Sequence, residues 1–268
     1  MYSKVNINNS YYRIDFNKFF DLSIPLDFEG KQVNFFDTPR SKVKALESDG
    51  RKMLVSQGAS CDVQEVTVNI HCTTTHTECV GHISKENIFI NEVVNRFFFP
   101  STLITVNPIE SNKCNEKYHV DFKVGDMVIS KAMLEQNLKS INPDFLEALI
   151  VRTIPNSLDK RFFNYRSNQF PFFTNDAIHY LNQLNVQHLL FDCPSIDRSS
   201  DGGFLGNHRI FWDINDDIDQ SKGISRKTIT ELIYIFDLIK DGTYILELQI
   251  GNIKLDASYS RPIIYPHI

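Results

Sequence analysis

Residues 71–82 read HCTTTHTECVGH, and this stretch places three histidines, two cysteines and a glutamate within twelve positions. Imidazole, thiolate and carboxylate groups all bind zinc, and imidazole with carboxylate also suits manganese. The same residue types are compatible with a nucleophile site, in which a thiolate lies beside an imidazole. They are also compatible with a half-exposed polar strand that is rich in histidine. The stretch alone does not choose among these three interpretations.

The composition is that of a soluble globular protein. The chain has 268 residues, of which 42% are hydrophobic and 23% charged, with a net charge of -5, so it can bury a sizeable core and carries no excess of basic residues for nucleic acid. No apolar run reaches membrane-spanning length, and the first residues lack a basic segment followed by an apolar one. The five cysteines are odd in number and irregularly spaced, which predicts free thiols in a reducing cytoplasm.

Segments with strand and helix periodicity alternate along the chain, which predicts a mixed α/β fold. The expected strands are 62–70, 101–109, 148–154, 186–192 and 243–253, and the expected helices are 130–141 and 174–185. Loops are expected at 108–119, 196–203 and 213–223, where Asp, Asn, Ser and Gly accumulate.

The first strand matters for the chemistry of 71–82. If it continues past Ile70, its side chains alternate, and Cys72, His76, Glu78 and His82 then share one side. His71 would point to the other side and would not bind the same ion. A Cys72–His76 nucleophile pair remains a weaker alternative to metal binding.

The stretch resembles a divergent form of the His-x-Gly-Thr-His-x-Asp-x-Pro-x-His motif of the metal-dependent cyclase family, which includes bacterial kynurenine formamidases and isatin hydrolases. With His76 aligned on the second histidine of the motif, the first histidine falls on Cys72, the aspartate on Glu78 and the last histidine on His82. The glycine and proline of the motif are replaced by Thr74 and Val80.

Other stretches resemble the family in the same order. They are FFDLSIPL (19–26), FPFFTNDAIHYLNQLNVQHLLFDCPSIDR (170–198), NHRIFW (207–212) and TELIYIFDLIKDGTYILELQI (230–250). The resemblance runs from about residue 19 to 253. It implies one domain over 1–268 with a mixed, barrel-like β-sheet flanked by helices, of the swivelling β/β/α type, and a homodimer or higher homo-oligomer. An inserted loop at about 213–227 departs from the family pattern.

By the same resemblance, the late ligands are His208 and Glu231. Without it, His208 would be interpreted as a surface-loop histidine and Glu231 as an exposed carboxylate at a helix start or strand edge. The apolar run that follows Glu231 favours a ligand role, because a carboxylate is costly to bury unless it is paired or bound to a metal.

The resemblance implies a metal-dependent hydrolase that acts on an amide of a small molecule, such as a formamide, an aryl formamide or a cyclic amide, through a metal-activated water. Cys72, His76 and Glu78 would hold one divalent ion, and Glu78, His208 and Glu231 a second. Zinc is favoured by the thiol, and manganese is possible. His82 would be the catalytic proton shuttle. The alternative is a non-catalytic relic of the fold that keeps a structural metal.

Overall fold

The computed structural model describes residues 1–166, 168–214 and 224–267. Its strands, in chain order, are β1 (Tyr2–Ile7), β2 (Ser10–Asp15), β3 (Phe20–Asp21), β4 (Lys42–Ala45), β5 (Glu47–Ser48), β6 (Arg51–Lys52), β7 (Gln64–Thr67), β8 (His76–Glu78), β9 (Phe98–Val106), β10 (Ile109–Glu110), β11 (Met127–Ile129), β12 (Ala148–Thr153), β13 (Phe172–Phe173), β14 (His188–Phe191), β15 (Thr228–Glu231), β16 (Gly242–Ile250) and β17 (Ala257–Pro266). The α-helices are α1 (Ile70–Thr73), α2 (Ile90–Val93), α3 (Lys131–Leu138), α4 (Asn175–Gln183) and α5 (Gly206–Trp212). Turns of 3-10 helix cover Val55–Gln57, Val80–His82, Ser111–Lys113, Pro143–Phe145 and Leu158–Phe162.

Seven strands close into a barrel. Their order around the ring is β16-β9-β12-β14-β15-β8-β17, and β17 pairs with β16 to complete it, while β3 adds an eighth strand beside β17. The run β9, β12, β14 and β15 is parallel, and every other pairing in the ring is antiparallel. This closed sheet confirms the mixed, barrel-like α/β fold expected from the sequence.

The parallel strands are buried on both faces, which explains their content of β-branched and aliphatic residues. On one face of β12, Ala148 and Ile150 join an apolar cluster shared with β9, β14, β16 and β17. On the other face, Leu149 and Val151 belong to the cluster that contains the apolar sides of α3 and α4. One face of each strand therefore fills the barrel, and the other is covered by helices.

The two longest helices begin where the sequence provides a hydroxyl cap. The Ser130 side chain accepts a hydrogen bond from the Met133 N–H at the start of α3, and Thr174 accepts one from the Ala177 N–H at the start of α4. Both helices lie within the ranges expected from periodicity, and the expected strands at 101–109, 148–154, 186–192 and 243–253 correspond to β9, β12, β14 and β16.

The expected strand over 62–70 is wrong in its second half. Strand β7 ends at Thr67 and pairs only with β4, and Val66 is exposed rather than part of a buried face. Asn69 then caps a helical turn, because its side chain accepts a hydrogen bond from the Cys72 N–H. The alternation assumed for this stretch therefore does not exist at residues 70–73, where the backbone is helical and not extended.

The remaining expectations concern the cysteines, the inserted loop and membrane-spanning segments. All five cysteines are free thiols. Of the proposed insertion at 213–227, residues 215–223 lie outside the described residues. Within the described part of the chain, no helix has both the length and the apolar character needed to cross a bilayer.

Candidate metal centre

Side chains able to bind metal converge where β8 meets β15 and the start of β17. They form three overlapping groups, and within each group the candidate ligand atoms lie within 4.8 Å of one another. The seven residues are His71, His76, Glu78, His82, His208, Glu231 and Asp256.

Strand pairing positions the central members of this centre. β8 and β15 are antiparallel, with Glu231 opposite His76. His76 and Glu78 are two positions apart on one strand and share a face, while Thr77 between them hydrogen-bonds to a threonine of β15. After Glu231 the chain turns abruptly, because Leu232 adopts a left-handed conformation with φ of 54°. Such a conformation is unfavourable for a bulky residue and is found preferentially at functional sites.

The first group consists of Glu78, Glu231 and His208 of α5, all of which are buried. His208 Nε2 lies 3.0 Å from Oε1 of Glu78 and 3.7 Å from Oε1 of Glu231. On the other side of the ring, Nδ1 lies 2.7 Å from the carboxylate of Asp197, to which it donates a hydrogen bond. The donation directs Nε2 at the two glutamates, in the manner of metal-binding histidines held by an outer carboxylate.

His76 carries an unpaired nitrogen in the same place. Its Nδ1 lies 3.0 Å from the carbonyl oxygen of Thr74, an acceptor, so the ring proton is assigned to Nδ1. Its Nε2 is buried and has no hydrogen-bond partner among the described residues, and it lies 3.7 Å from Oε2 of Glu231. A buried ring nitrogen with a free lone pair is costly unless it binds something.

The helical turn α1 brings His71 into the centre and places Cys72 in the neighbouring wall. His71 Nδ1 lies 3.2 Å from Oε2 of Glu78. His71, His76 and Glu78 form one of the groups, and Cys72 belongs to none of those found among the described residues. Burial raises the pKa of the Cys72 thiol, which disfavours the thiolate that a metal would require. The assignment of His71 to the opposite side was wrong because it assumed a strand.

His82 reaches the centre from the turn that follows β8. Its Nε2 lies 3.7 Å from Oε2 of Glu78, and its Nδ1 lies 2.9 Å from Oδ2 of Asp256. Gly81 permits this path, because a β-carbon at position 81 would lie 2.1 Å from the carbonyl oxygen of Ile88. Only glycine fits so close to another segment of backbone.

The pKa values of Glu78 and Glu231 are shifted in opposite directions. Burial alone would raise the pKa of Glu78, but His82 and His208 hold it well below its usual range. Burial and the negative charge of Glu78 raise the pKa of Glu231 well above its usual range. Two carboxylates this close cannot both ionise easily in a buried position unless positive charge lies between them.

The pKa values of His76 and His208 are also shifted in opposite directions. Burial lowers the pKa of His76 to about 3, so this imidazole is neutral at physiological pH. Burial alone would lower the pKa of His208, but Asp197 and Glu78 raise it well above its usual range. A neutral imidazole beside a carboxyl group that lacks a counter-charge is a suitable environment for a divalent cation. The residues present therefore fit such an ion.

A cavity of about 510 Å³ opens onto the centre. Glu78, His82, His208 and Glu231 border it on one side. The rest of the lining mixes aromatic, charged, apolar and small polar residues, namely Phe35, Phe36, His71, Cys72, Pro194, Ser195, Arg198, Ser199, Ser200, Asp201, Gly202, Gly203 and Leu205. The donor atoms are thus accessible to a small molecule.

Five of the six site residues expected from the sequence meet in this centre, namely His76, Glu78, His82, His208 and Glu231, and Cys72 lines the cavity beside it. Sequence reasoning missed His71, Asp256 and the outer partner Asp197. Asn69 followed by Ile70 and His71 is a helix-start signal that could have identified the turn and hence His71. Asp256 lies far along the chain and carries no local signal.

Comparison with known proteins supports the resemblance found in the sequence. Residues 20–198 match the model of the family described as putative cyclase. The match includes the motif at 71–82 and ends before His208 and Glu231. No curated protein matches the chain.

Several solved structures share the fold. A predicted metal-dependent hydrolase from Bacillus stearothermophilus is 17% identical, with a TM-score of 0.57 over 92% of this chain and 98% of its own. A potential metal-dependent hydrolase with cyclase activity is 17% identical, with a TM-score of 0.62 over 92% of this chain and 97% of its own. An isatin hydrolase bound to the product analogue thioisatinate is 14% identical, with a TM-score of 0.58 over 92% of each chain. At these identities the similarity shows the fold.

Proposed function

This chain belongs to the putative cyclase family, and from that premise we propose that it is a metal-dependent hydrolase that cleaves an amide of a small molecule. Formamides, aryl formamides and cyclic amides are the proposed substrates. The observation that carries the proposal is the buried, unpaired Nε2 of His76 beside Glu231, within a donor set that borders a cavity.

Two groups of residues would hold the ion or ions. His71, His76 and Glu78 form one group, and Glu78, His208 and Glu231 form the other, with Glu78 common to both. All these donors are imidazole nitrogen or carboxylate oxygen, and both zinc and manganese accept them. The preference for zinc rested on the thiol of Cys72, so these donors favour neither metal.

A divalent ion held there would polarise a substrate carbonyl and lower the pKa of a bound water toward neutrality. The protein's own contribution begins with the cavity, which Phe35 and Phe36 line together with the donor residues. His82 borders the cavity and lies beside Glu78. We propose that its Nε2 takes a proton from the attacking water and gives it to the leaving amine nitrogen, a role that suits imidazole near neutral pH.

The alternative is a structural metal site on a fold that has lost its activity. A structural site is closed by four protein ligands, whereas a catalytic site keeps a position open. The cavity against Glu78, His208 and Glu231 supports the open arrangement.

Metal analysis combined with a substrate panel tests the proposal. Purified protein reconstituted at neutral pH should bind one or two equivalents of zinc or manganese and hydrolyse a member of a panel of formanilides, isatins and lactams. His76→Ala should lose both properties, whereas His179→Ala, which removes an exposed histidine on α4, should lose neither. Bound metal without turnover of any amide, ester or lactam would favour the structural alternative, and absence of bound metal would exclude both.

A further inference from the structure

Asp256 is a member of the centre that lies outside both residues 71–82 and the later ligand positions expected from the sequence. It lies immediately before β17, whose first residue, Ala257, pairs with Glu78 of β8. The backbone carbonyl of Asp256 also accepts a hydrogen bond of 3.0 Å from the Cys79 N–H. Strand pairing therefore fixes the position of this carboxylate relative to residues 71–82, although it is 174 positions from His82.

One oxygen of Asp256 contacts two imidazole rings. Oδ2 lies 3.0 Å from Nε2 of His71 and 2.9 Å from Nδ1 of His82. The two rings lie side by side, with centroids 4.3 Å apart and planes inclined by 31°. A carboxylate oxygen accepts hydrogen bonds and ring N–H groups donate them, so both rings donate to Oδ2.

The hydrogen bonds to Asp256 determine which nitrogen of each ring faces the centre. With its proton on Nε2, His71 directs Nδ1 toward Oε2 of Glu78, 3.2 Å away. With its proton on Nδ1, His82 directs Nε2 toward the same oxygen, 3.7 Å away. The atoms that would bind metal or transfer a proton are therefore Nδ1 of His71 and Nε2 of His82, which make no hydrogen bond to Asp256.

We propose that Asp256 is a positioning residue that holds His71 as a metal ligand and His82 as a proton shuttle through a single carboxylate oxygen. This inference rests on the proposed function. Asp256 itself does not border the cavity formed by the described residues, so it acts through the two histidines and does not contact the substrate.

The experiment uses the full chain and compares Asp256→Ala and Asp256→Asn with Asp159→Ala, which removes an exposed aspartate elsewhere. The dissociation constant for zinc or manganese is measured by competition with a chelator, and kcat and KM are measured on the best substrate. Asp256→Ala should weaken metal binding by about 10–100-fold, the usual effect of removing an outer partner of a ligand. It should lower kcat with little change in KM, and Asp256→Asn, which keeps volume and an acceptor oxygen, should fall between it and wild type.

Double variants separate positioning from general structural support. In a His71→Ala background, Asp256→Ala should cause no further loss of metal affinity. In a His82→Ala background, with kcat measured at saturating metal, it should cause no further loss of kcat, because the effects pass through those rings. Independent, additive losses, or unchanged affinity and kcat in both Asp256 variants, would overturn the inference. If Asp256→Ala does not fold, Asp256→Asn carries the same comparisons.

The same measurements distinguish this inference from the proposed function. If the wild-type protein binds metal and cleaves an amide while the Asp256 variants behave like Asp159→Ala, only the proposed role of Asp256 is excluded. If the wild-type protein binds metal but cleaves no amide, the hydrolase proposal and the proton-shuttle role of His82 are both excluded. The affinity measurements then test whether Asp256 positions His71 as a metal ligand. Wild-type protein that binds no metal overturns both.

Discussion

His76 and Glu231 face each other across the antiparallel pair β8 and β15, with Nε2 of the imidazole 3.7 Å from Oε2 of the carboxyl group. Both side chains are buried, and within the part of the chain that the structure describes the Nε2 atom has no hydrogen-bond partner. An ion that bound here would contact donors from two strands that are far apart in the sequence. Metal binding should therefore stabilise the folded state.

Metal addition should raise the melting temperature of the wild-type protein. Free ion at about 100 times the dissociation constant adds roughly 2.7 kcal/mol to the free energy of unfolding, because the unfolded chain lacks the assembled site. Differential scanning calorimetry with and without zinc or manganese measures the shift. Glu231→Gln should show a much smaller shift, and an equal shift in this variant would contradict a ligand role for Glu231.

His82→Ala should lower turnover by about 10²–10⁴-fold, the usual contribution of general acid–base catalysis, while metal content stays near the wild-type value. The reason is that His82 lies at the cavity beside Glu78, and His71 and His76 already provide imidazole ligands. Metal analysis and steady-state kinetics on the same preparation make the comparison. Loss of metal as complete as in His76→Ala would make His82 a ligand.

His71→Ala should weaken metal binding more than Cys72→Ser does. His71 Nδ1 lies beside Glu78, whereas Cys72 is part of the cavity lining and has a thiol whose pKa is raised by burial. Loss of a direct ligand should cost at least the roughly 10–100-fold that removal of an outer partner costs. Chelator competition on both variants tests the order, and the reverse order would restore Cys72 as the ligand.

Acid should destabilise the fold in part through His188, which lies outside the centre on β14. Burial, with a smaller effect from nearby Arg96, lowers the pKa of this histidine to about 3, so it stays neutral in the folded state. The unfolded chain takes up the proton below about pH 6.5. The contribution of His188 to stability is therefore complete above that pH and decreases as the pH falls toward 3, by about 2 kcal/mol at about pH 5.

His188→Asn should remove this part of the pH dependence. The asparagine amide occupies the position of Nδ1, which lies 2.8 Å from the Thr228 hydroxyl. Urea unfolding at neutral pH and at about pH 5 gives the difference in free energy for each protein. An unchanged difference in the variant would show that His188 is not responsible.

Lys160→Met should destabilise the protein by about 3–5 kcal/mol, the usual cost of leaving a buried charge without its partner. The Lys160 ammonium lies 2.5 Å from the Asp192 carboxylate, and both side chains are buried. Urea unfolding followed by the fluorescence of Trp212, the only tryptophan, measures the effect. Lys123→Met removes an exposed lysine and should change the free energy of unfolding little. Equal effects would argue against the buried ion pair.

The sequence alone predicted much of the fold because the decisive signals are local. Runs of β-branched residues predicted the positions of β9 and β12, and a hydroxyl cap followed by an apolar stripe predicted α4. Strand β17 was not predicted, although it closes the barrel against β16 and pairs with β8. Ring closure depends on contacts between distant segments, which periodicity does not report.

For the site, the sequence by itself determined that His76 and Glu78 share a face, because side chains two apart on a strand always do. The Asn69 cap, which is a local signal, turns the backbone helical before β8 begins, and the tertiary structure then decided that His71 faces Glu78 and that Cys72 lies in the cavity wall. It also decided that Asp256 joins His71 and His82, because the pairing of β17 with β8 brings together residues that no local pattern connects.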